Sequence, residues 1–153
     1  MKHVLFICTG NTCRSPMAEA LAKDIFSKKG INITTSSRGI YALEGEAVSK
    51  NAVAVMNEMG INANNHTAKP FTDFDAQNAD YIFTMTKNHK EFVVSRFPDK
   101  EHNTFTISEY SGQVAPQDVS DPFGGSLERY MSCAKELFEL ITIISDKLLG
   151  ELK

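Results

Sequence analysis

From His3 to Cys8 the chain is a nearly continuous apolar run, as in a strand buried on both faces. Ser15 then reads as a helix N-cap and Pro16 as a first-turn proline. Ala18, Leu21, Ala22 and Ile25 follow at helical spacing, and Gly30 ends that helix. Ile31 to Ser36 alternates apolar and polar, which predicts a second strand. Val48, Ala52, Val55, Met56 and Met59 form another helical stripe, stopped by Gly60. Tyr81 to Met85 predicts a third strand, Thr86 a cap for a helix running toward Phe97, and Thr104 to Ile107 a short fourth strand. The last helix is the longest, with Tyr130, Cys133, Leu137, Ile141, Ile144 and Leu148 along one face. Strands separated by helices predict an α/β fold: a single domain over residues 1–153, with a four-stranded parallel sheet and helices on both faces. No repeat, low-complexity tract or linker interrupts the pattern. Ligand sites in such sheets lie beyond the carboxyl ends of the strands, which directs attention to the turn after the first strand.

Composition narrows the range of functions. With 42% hydrophobic and 23% charged residues in 153, the chain has the balance of a globular protein. No apolar run approaches the roughly 20 residues of a membrane span, and the short apolar start is a poor signal peptide, so a cytoplasmic address is expected. A net charge of −3 and the lack of a basic stripe argue against nucleic acid as a partner. Three cysteines cannot all pair and fit a reducing compartment better than a disulfide framework. No Cys/His spacing resembles a metal-ligand set, and no metal or organic cofactor is expected. The apolar face of the last helix is accounted for by packing on the sheet, so a monomer is expected.

The turn itself reads Cys8-Thr-Gly-Asn-Thr-Cys-Arg14, followed by Ser15 and Pro16. Thr9, Gly10, Asn11 and Thr12 are small or turn-forming, and Gly10 and Asn11 both tolerate positive φ. A tight curl entering a helix points several backbone N–H groups at one spot, which binds a dianion. The same donors stabilise a thiolate at the centre. Arg14 adds a planar cationic fork that fits two phosphoryl oxygens, and Ser15 can donate its hydroxyl to the sulfur. The glycine patterns of nucleotide-hydrolase and dinucleotide loops are absent, so this anion site carries a nucleophile. A phosphocysteine mechanism needs an acid for the leaving group. Asp118 and Asp121, in Asp-Val-Ser-Asp-Pro-Phe-Gly-Gly, are both candidates. Asp121 precedes Pro122 and is held extended.

These segments resemble the low-molecular-weight protein tyrosine phosphatase family across essentially the whole chain: Val4 to Ala22, Ser37-Arg38-Gly39, Asp80 to Lys90 and Asp118 to Tyr130. The resemblance implies that Cys8 attacks phosphorus, Arg14 binds phosphate, and Asp121 acts as general acid and then as general base. It also implies a hydrogen-bonded network behind the loop from Asn11, Ser37 and His66, with Ser15 as the thiolate-stabilising hydroxyl. Thr9, Gly10, Asn11, Thr12, Cys13, Ser15 and Phe123 would contact substrate. Phosphorylated proteins would be the partners.

Within the family, the loop and the Asp-Pro-Phe-Gly-Gly-Ser segment look like the bacterial protein arginine phosphatase branch, which carries threonine where tyrosine-specific relatives usually carry a bulky aliphatic residue; here it is Thr12. Phosphoarginine is therefore the expected substrate, with phosphotyrosine the alternative, since Phe123 and Tyr41 supply apolar walls. Cys13 matches a second thiol able to form a protective disulfide with Cys8 under oxidation. Related arsenate reductases need a further cysteine pair downstream, where this chain has only Cys133, on the core stripe. An idle phospho-residue binding module is disfavoured by the presence of Cys8, Arg14 and Asp121 together.

Overall fold

The apolar run at the start of the chain becomes the sheet's inner strand β1, Lys2–Cys8. The computed structural model describes residues 1–113 and 117–152. In β1, alternate side chains point to opposite faces. Val4 and Phe6 pack with Phe83 on one side, while Leu5 and Ile7 pack with Ile82 on the other. With β2 (Ile33–Gly39), β3 (Tyr81–Thr84) and β4 (Thr104–Thr106), it forms a sheet in the order β2-β1-β3-β4, parallel throughout.

Helices α1 (Arg14–Lys28), α2 (Lys50–Glu58), α5 (Ile107–Tyr110) and α6 (Leu127–Glu151) share the core of the Phe6 face. Helices α3 (Asp73–Asn78) and α4 (Lys87–Arg96) cover the Ile7 face. The expected α/β fold, with helices on both faces, is the fold observed. All six residues of the α6 stripe are buried, including Cys133, whose thiol burial pushes up to about 12. No helix among the described residues is long and apolar enough to cross a membrane.

The differences from expectation are local. Helix α1 starts at Arg14 with Cys13 at the N-cap and no side-chain cap, so Ser15 lies inside the first turn instead of capping it, while Pro16 is the first-turn proline expected. The Ser15 hydroxyl is committed to the loop instead. Strand β2 starts later and runs further than expected, to Gly39, because its residues up to Cys8's partner are drawn into register with β1. Ile107 belongs to α5, not to the fourth strand. Helix α3, helix α5 and the 3-10 segment Pro98–Asn103 are too short to display a helical period, and cap chemistry places the first two: Thr72 with Asp75, and Thr106 with Glu109, each form a reciprocal capping box.

Strand β1 leads to β2 on one side and neighbours β3 on the other, so the order reverses at the carboxyl ends of β1 and β3. Cys8 ends one of these strands, and Ile7 lies beside Thr84, which ends the other. The cysteine loop therefore occupies the crevice where open α/β sheets bind ligands.

Candidate active site

The loop is shaped by one residue more than by its glycine. Asn11 takes the left-handed conformation at φ 58°, the only non-glycine residue with positive φ among those described. That turn aims its N–H at Cys8 Sγ, 3.3 Å away. The Asn11 side chain is saturated: Nδ2 donates to Ser15 Oγ at 2.8 Å and Ser37 Oγ at 3.0 Å, and Oδ1 accepts from the Lys69 N–H at 3.0 Å. The Lys69 contact fixes which end of the amide is oxygen. His66 Nε2 lies 3.1 Å from Oδ1 and 3.2 Å from the Asn11 carbonyl, two acceptors, so this nitrogen carries the hydrogen. Ser37 donates onward to Glu19 Oε1 at 2.6 Å. Because Ser15 Oγ already accepts from Asn11, its hydrogen is free for Cys8 Sγ, 2.8 Å away. The structure brings Asn11, Ser15, Ser37 and His66 together behind the loop: donors run from His66 through Asn11 and Ser15 to the sulfur, with a branch from Asn11 through Ser37 to Glu19. Gly39 seals this side: a Cβ there would stand 2.6 Å from the Thr9 carbonyl oxygen and 2.9 Å from the Asn11 nitrogen.

Arg14 is 5% exposed and spans the loop and the segment before α6. Its guanidinium donates to the Val119 carbonyl at 2.9 Å and lies 3.6 Å from Asp121 Oδ2. Val119 is itself tied to the end of β3, its N–H donating to the Met85 carbonyl at 3.0 Å. The other Asp121 oxygen accepts from the Phe123 N–H at 3.1 Å, a local turn around Pro122. Asp118 faces elsewhere and accepts from the Lys87 N–H at the start of α4. The geometry sets the two aspartates apart: Asp121, which the Asp-Pro step and the resemblance favour, is the one beside Arg14.

Cys8, Thr9, Gly10, Asn11, Thr12, Cys13, Arg14, Asp121 and Phe123 share one cleft of about 270 Å³, with exposed Tyr41, Leu43 and Phe123 at its rim. A larger cleft, about 610 Å³, runs beside α4, but its lining holds neither a cysteine nor an arginine, so size alone would misplace the site. Thr12 has its carbonyl fixed by the Ser49 N–H at 3.0 Å, while its hydroxyl has, among the described residues, only a 3.7 Å contact with Cys13 Sγ. Cys13 is buried against Tyr130, with its sulfur 3.2 Å from the phenol oxygen, and all three cysteines are free thiols. Burial and this contact push Tyr130 up to about 12, so the phenol keeps its proton.

Further residues at the site escape sequence reasoning, among them Glu19, Ser49, His89 and Tyr130. All of these but Glu19 come from elements that the fold brings in from a distance. Glu19 alone carried a legible signal, standing one turn along α1 from the loop. His89 lies 2.9 Å by Nε2 from Thr9 Oγ1, and burial, reinforced by the nearby Arg14 cation, lowers it to about 4.

A family model describing low molecular weight phosphotyrosine protein phosphatases matches residues 3–153. The chain belongs to that family. It is 40% identical over 146 residues to a protein-arginine-phosphatase of Bacillus subtilis, covering 95% of each chain. It is also 39% identical over 139 residues to the low molecular weight protein-tyrosine-phosphatase PtpB of Staphylococcus haemolyticus, covering 91% of this chain and 94% of the relative. The structure of a YwlE arginine phosphatase mutant with a phosphorylated active site serine superposes with a TM-score of 0.91 at 38% identity, covering 95% of each chain. The protein is accordingly a cysteine-dependent phosphatase of the low-molecular-weight fold, as its loop implies.

Proposed function

We propose that the protein hydrolyses phosphoarginine in protein substrates through a phosphocysteine intermediate. Cys8 thiolate attacks phosphorus, an S–P bond forms and the P–N bond breaks, and Asp121 delivers its proton to the departing guanidine nitrogen. Asp121, now a carboxylate, takes a proton from water as that water attacks phosphorus. The S–P bond breaks, inorganic phosphate leaves and the thiolate is restored. Arg14 and the loop amides hold the equatorial oxygens throughout. The uncapped first turn of α1 leaves its amides for the same anion. Asn11, Ser37 and His66 hold the loop, and Ser15 stabilises the thiolate. No cofactor enters either step.

The observation that carries the arginine reading is Thr12. It lines the cleft with a hydroxyl that makes, among the described residues, only the long contact to Cys13 Sγ, which leaves it able to accept from a guanidinium or order a water against it. Asp121 supports the reading, since at the mouth it can pair as a carboxylate with a guanidinium and, as the acid, protonate the departing guanidine nitrogen. The arginine phosphatase of Bacillus subtilis agrees with it. A second reading, phosphotyrosine, is favoured by the rim of Tyr41, Leu43 and Phe123, which suits a phenyl ring, and by PtpB. The proposed setting is cytoplasmic and monomeric.

Matched phosphoarginine and phosphotyrosine peptides, tested with the wild type, Cys8→Ser and Thr12→Ile proteins, decide between them. The wild type is expected to prefer phosphoarginine, Cys8→Ser to turn over neither, and Thr12→Ile to shift preference toward phosphotyrosine. A wild type preferring phosphotyrosine would sink the arginine reading, and one turning over neither peptide would sink both.

A further inference from the structure

Thr9 is held from both ends. Its carbonyl accepts from the Tyr41 N–H at 2.9 Å, and its hydroxyl meets His89 Nε2 at the same distance. His89 sits in the first turn of α4, where its N–H donates to the Thr86 cap at 3.1 Å. The contact therefore bridges the carboxyl ends of β1 and β3, across the crevice that holds the loop. The ring is 8% exposed, and its Nδ1 has no hydrogen-bond partner among the described residues.

One nitrogen of a neutral imidazole donates and the other accepts. A buried N–H without a partner is rarer and more costly than a buried lone pair without one. The orphan Nδ1 is therefore the lone pair, and Nε2–H donates to Thr9 Oγ1. The groups bearing on the ring are Arg14, Asp118 and Asp121. Its burial and the Arg14 cation keep it neutral at ordinary pH, so the assignment of one donor and one acceptor holds. With its oxygen occupied as an acceptor, the Thr9 hydroxyl has its own hydrogen left to give, and Thr9 lines the cleft beside Cys8.

We propose that His89 is a positioning residue that turns the Thr9 hydroxyl outward, so that its O–H donates to a bound phosphoryl oxygen. The reverse tautomer would take that hydrogen and present a lone pair to an anion. The loop thus gains a neutral side-chain donor in addition to its amides and Arg14. The inference rests on a phosphoryl group occupying the loop, which wild-type turnover and competitive inhibition by inorganic phosphate test independently.

The experiment compares wild type, Thr9→Val, His89→Leu, His89→Gln and the Thr9→Val/His89→Leu double variant. It measures the inhibition constant of inorganic phosphate together with KM and kcat, using thermal melting to confirm folding. Thr9→Val removes one hydrogen bond to a charged group and is expected to raise the phosphate inhibition constant about tenfold. His89→Leu should cause most of that rise, the double variant no more than Thr9→Val alone, and His89→Gln, which keeps an N–H at the Nε2 position, should recover much of it. An unchanged inhibition constant in Thr9→Val, in an active and folded protein, overturns the proposal. So do additive losses in the double variant, or an unchanged constant in folded His89→Leu. If His89→Leu does not fold, the Thr9→Val and His89→Gln measurements carry the test. A loss in melting temperature with phosphate affinity intact marks His89 as merely structural and also overturns it.

Discussion

On the flank of the loop that faces β2, Asn11 is fully buried, and each side-chain position that can donate or accept is used within the protein. On the flank that faces residues 118 to 123, Asp121 has a half-exposed side chain and meets Arg14 at 3.6 Å, longer than a hydrogen bond. The first flank is built to hold a loop of unfavourable backbone conformation in place; the second leaves a carboxylate with spare capacity. A group that binds a dianion in both halves of a reaction gains from being fixed beforehand. A group that must give up a proton and then take one back gains from contact with water and with a leaving group that changes. Arg14 joins the two, since it is buried like the first flank and reaches the backbone of the second.

The largest expected effect ignores the difference between the flanks, because both serve one sulfur. Cys8→Ser should reduce turnover of either peptide by about 10⁴-fold or more while leaving phosphate binding measurable. Asp121→Asn tests the open flank alone. It should slow phosphotyrosine turnover by about 10²- to 10³-fold, the range of general acid catalysis, with little change in melting temperature. Phosphoarginine turnover should fall less, because the P–N bond is inherently acid-labile. Equal losses on the two substrates would count against that division. Asn11→Ala tests the closed flank and should reverse the pattern. Leaving Ser15, Ser37 and His66 with broken partners in a buried network should cost about 2–4 kcal/mol of stability, measured by denaturant unfolding, along with activity. If Asn11→Ala were as stable as the wild type, the flank would not be the clamp described here.

The smallest effect vanishes at neutral pH. His89 has a folded-state value of about 4 against 6.5 for the unfolded chain. Between those values the unfolded chain binds a proton that the folded protein refuses. Stability should therefore be complete above the unfolded value and fall as the pH drops through the window toward 4. The difference in unfolding free energy between wild type and His89→Gln should show this slope between pH 6.5 and 4 and be flat above it. A flat difference throughout would mean that the ring is not held neutral.

The sheet and the loop were legible in the sequence because each depends on neighbours in the chain. The His3–Cys8 run, the glycine stops at Gly30 and Gly60, and the cap at Thr86 all act within a few residues. The spacing from Cys8 to Arg14 is set by a single turn. What was hidden depends on long-range pairing. The tie from Thr9 to His89 crosses 80 residues and that from Cys13 to Tyr130 crosses 117, while that from Asn11 to Ser37, across 26, was reached through the family resemblance alone. Ser15 shows how a local rule loses. It has the chemistry of an N-cap, but a sulfur and a buried amide nearby offer its hydroxyl two better partners, and the helix starts without it. Asp121 stood out by its Asp-Pro step and by the family resemblance; what only the fold shows is that Asp118 is engaged at the start of α4.

Gly39 carries a consequence for how such an enzyme changes over generations. Because any side chain there would strike the backbone of Thr9 and Asn11, the chain has almost no mutational route to a differently shaped loop. Variation is directed to positions that decorate the cleft without supporting it: Thr12, Tyr41, Leu43 and Phe123. A lineage can therefore drift from one phosphorylated side chain to another in single steps, each with an intact phosphate grip. A laboratory library confined to those four positions would explore new substrates with little risk of losing catalysis.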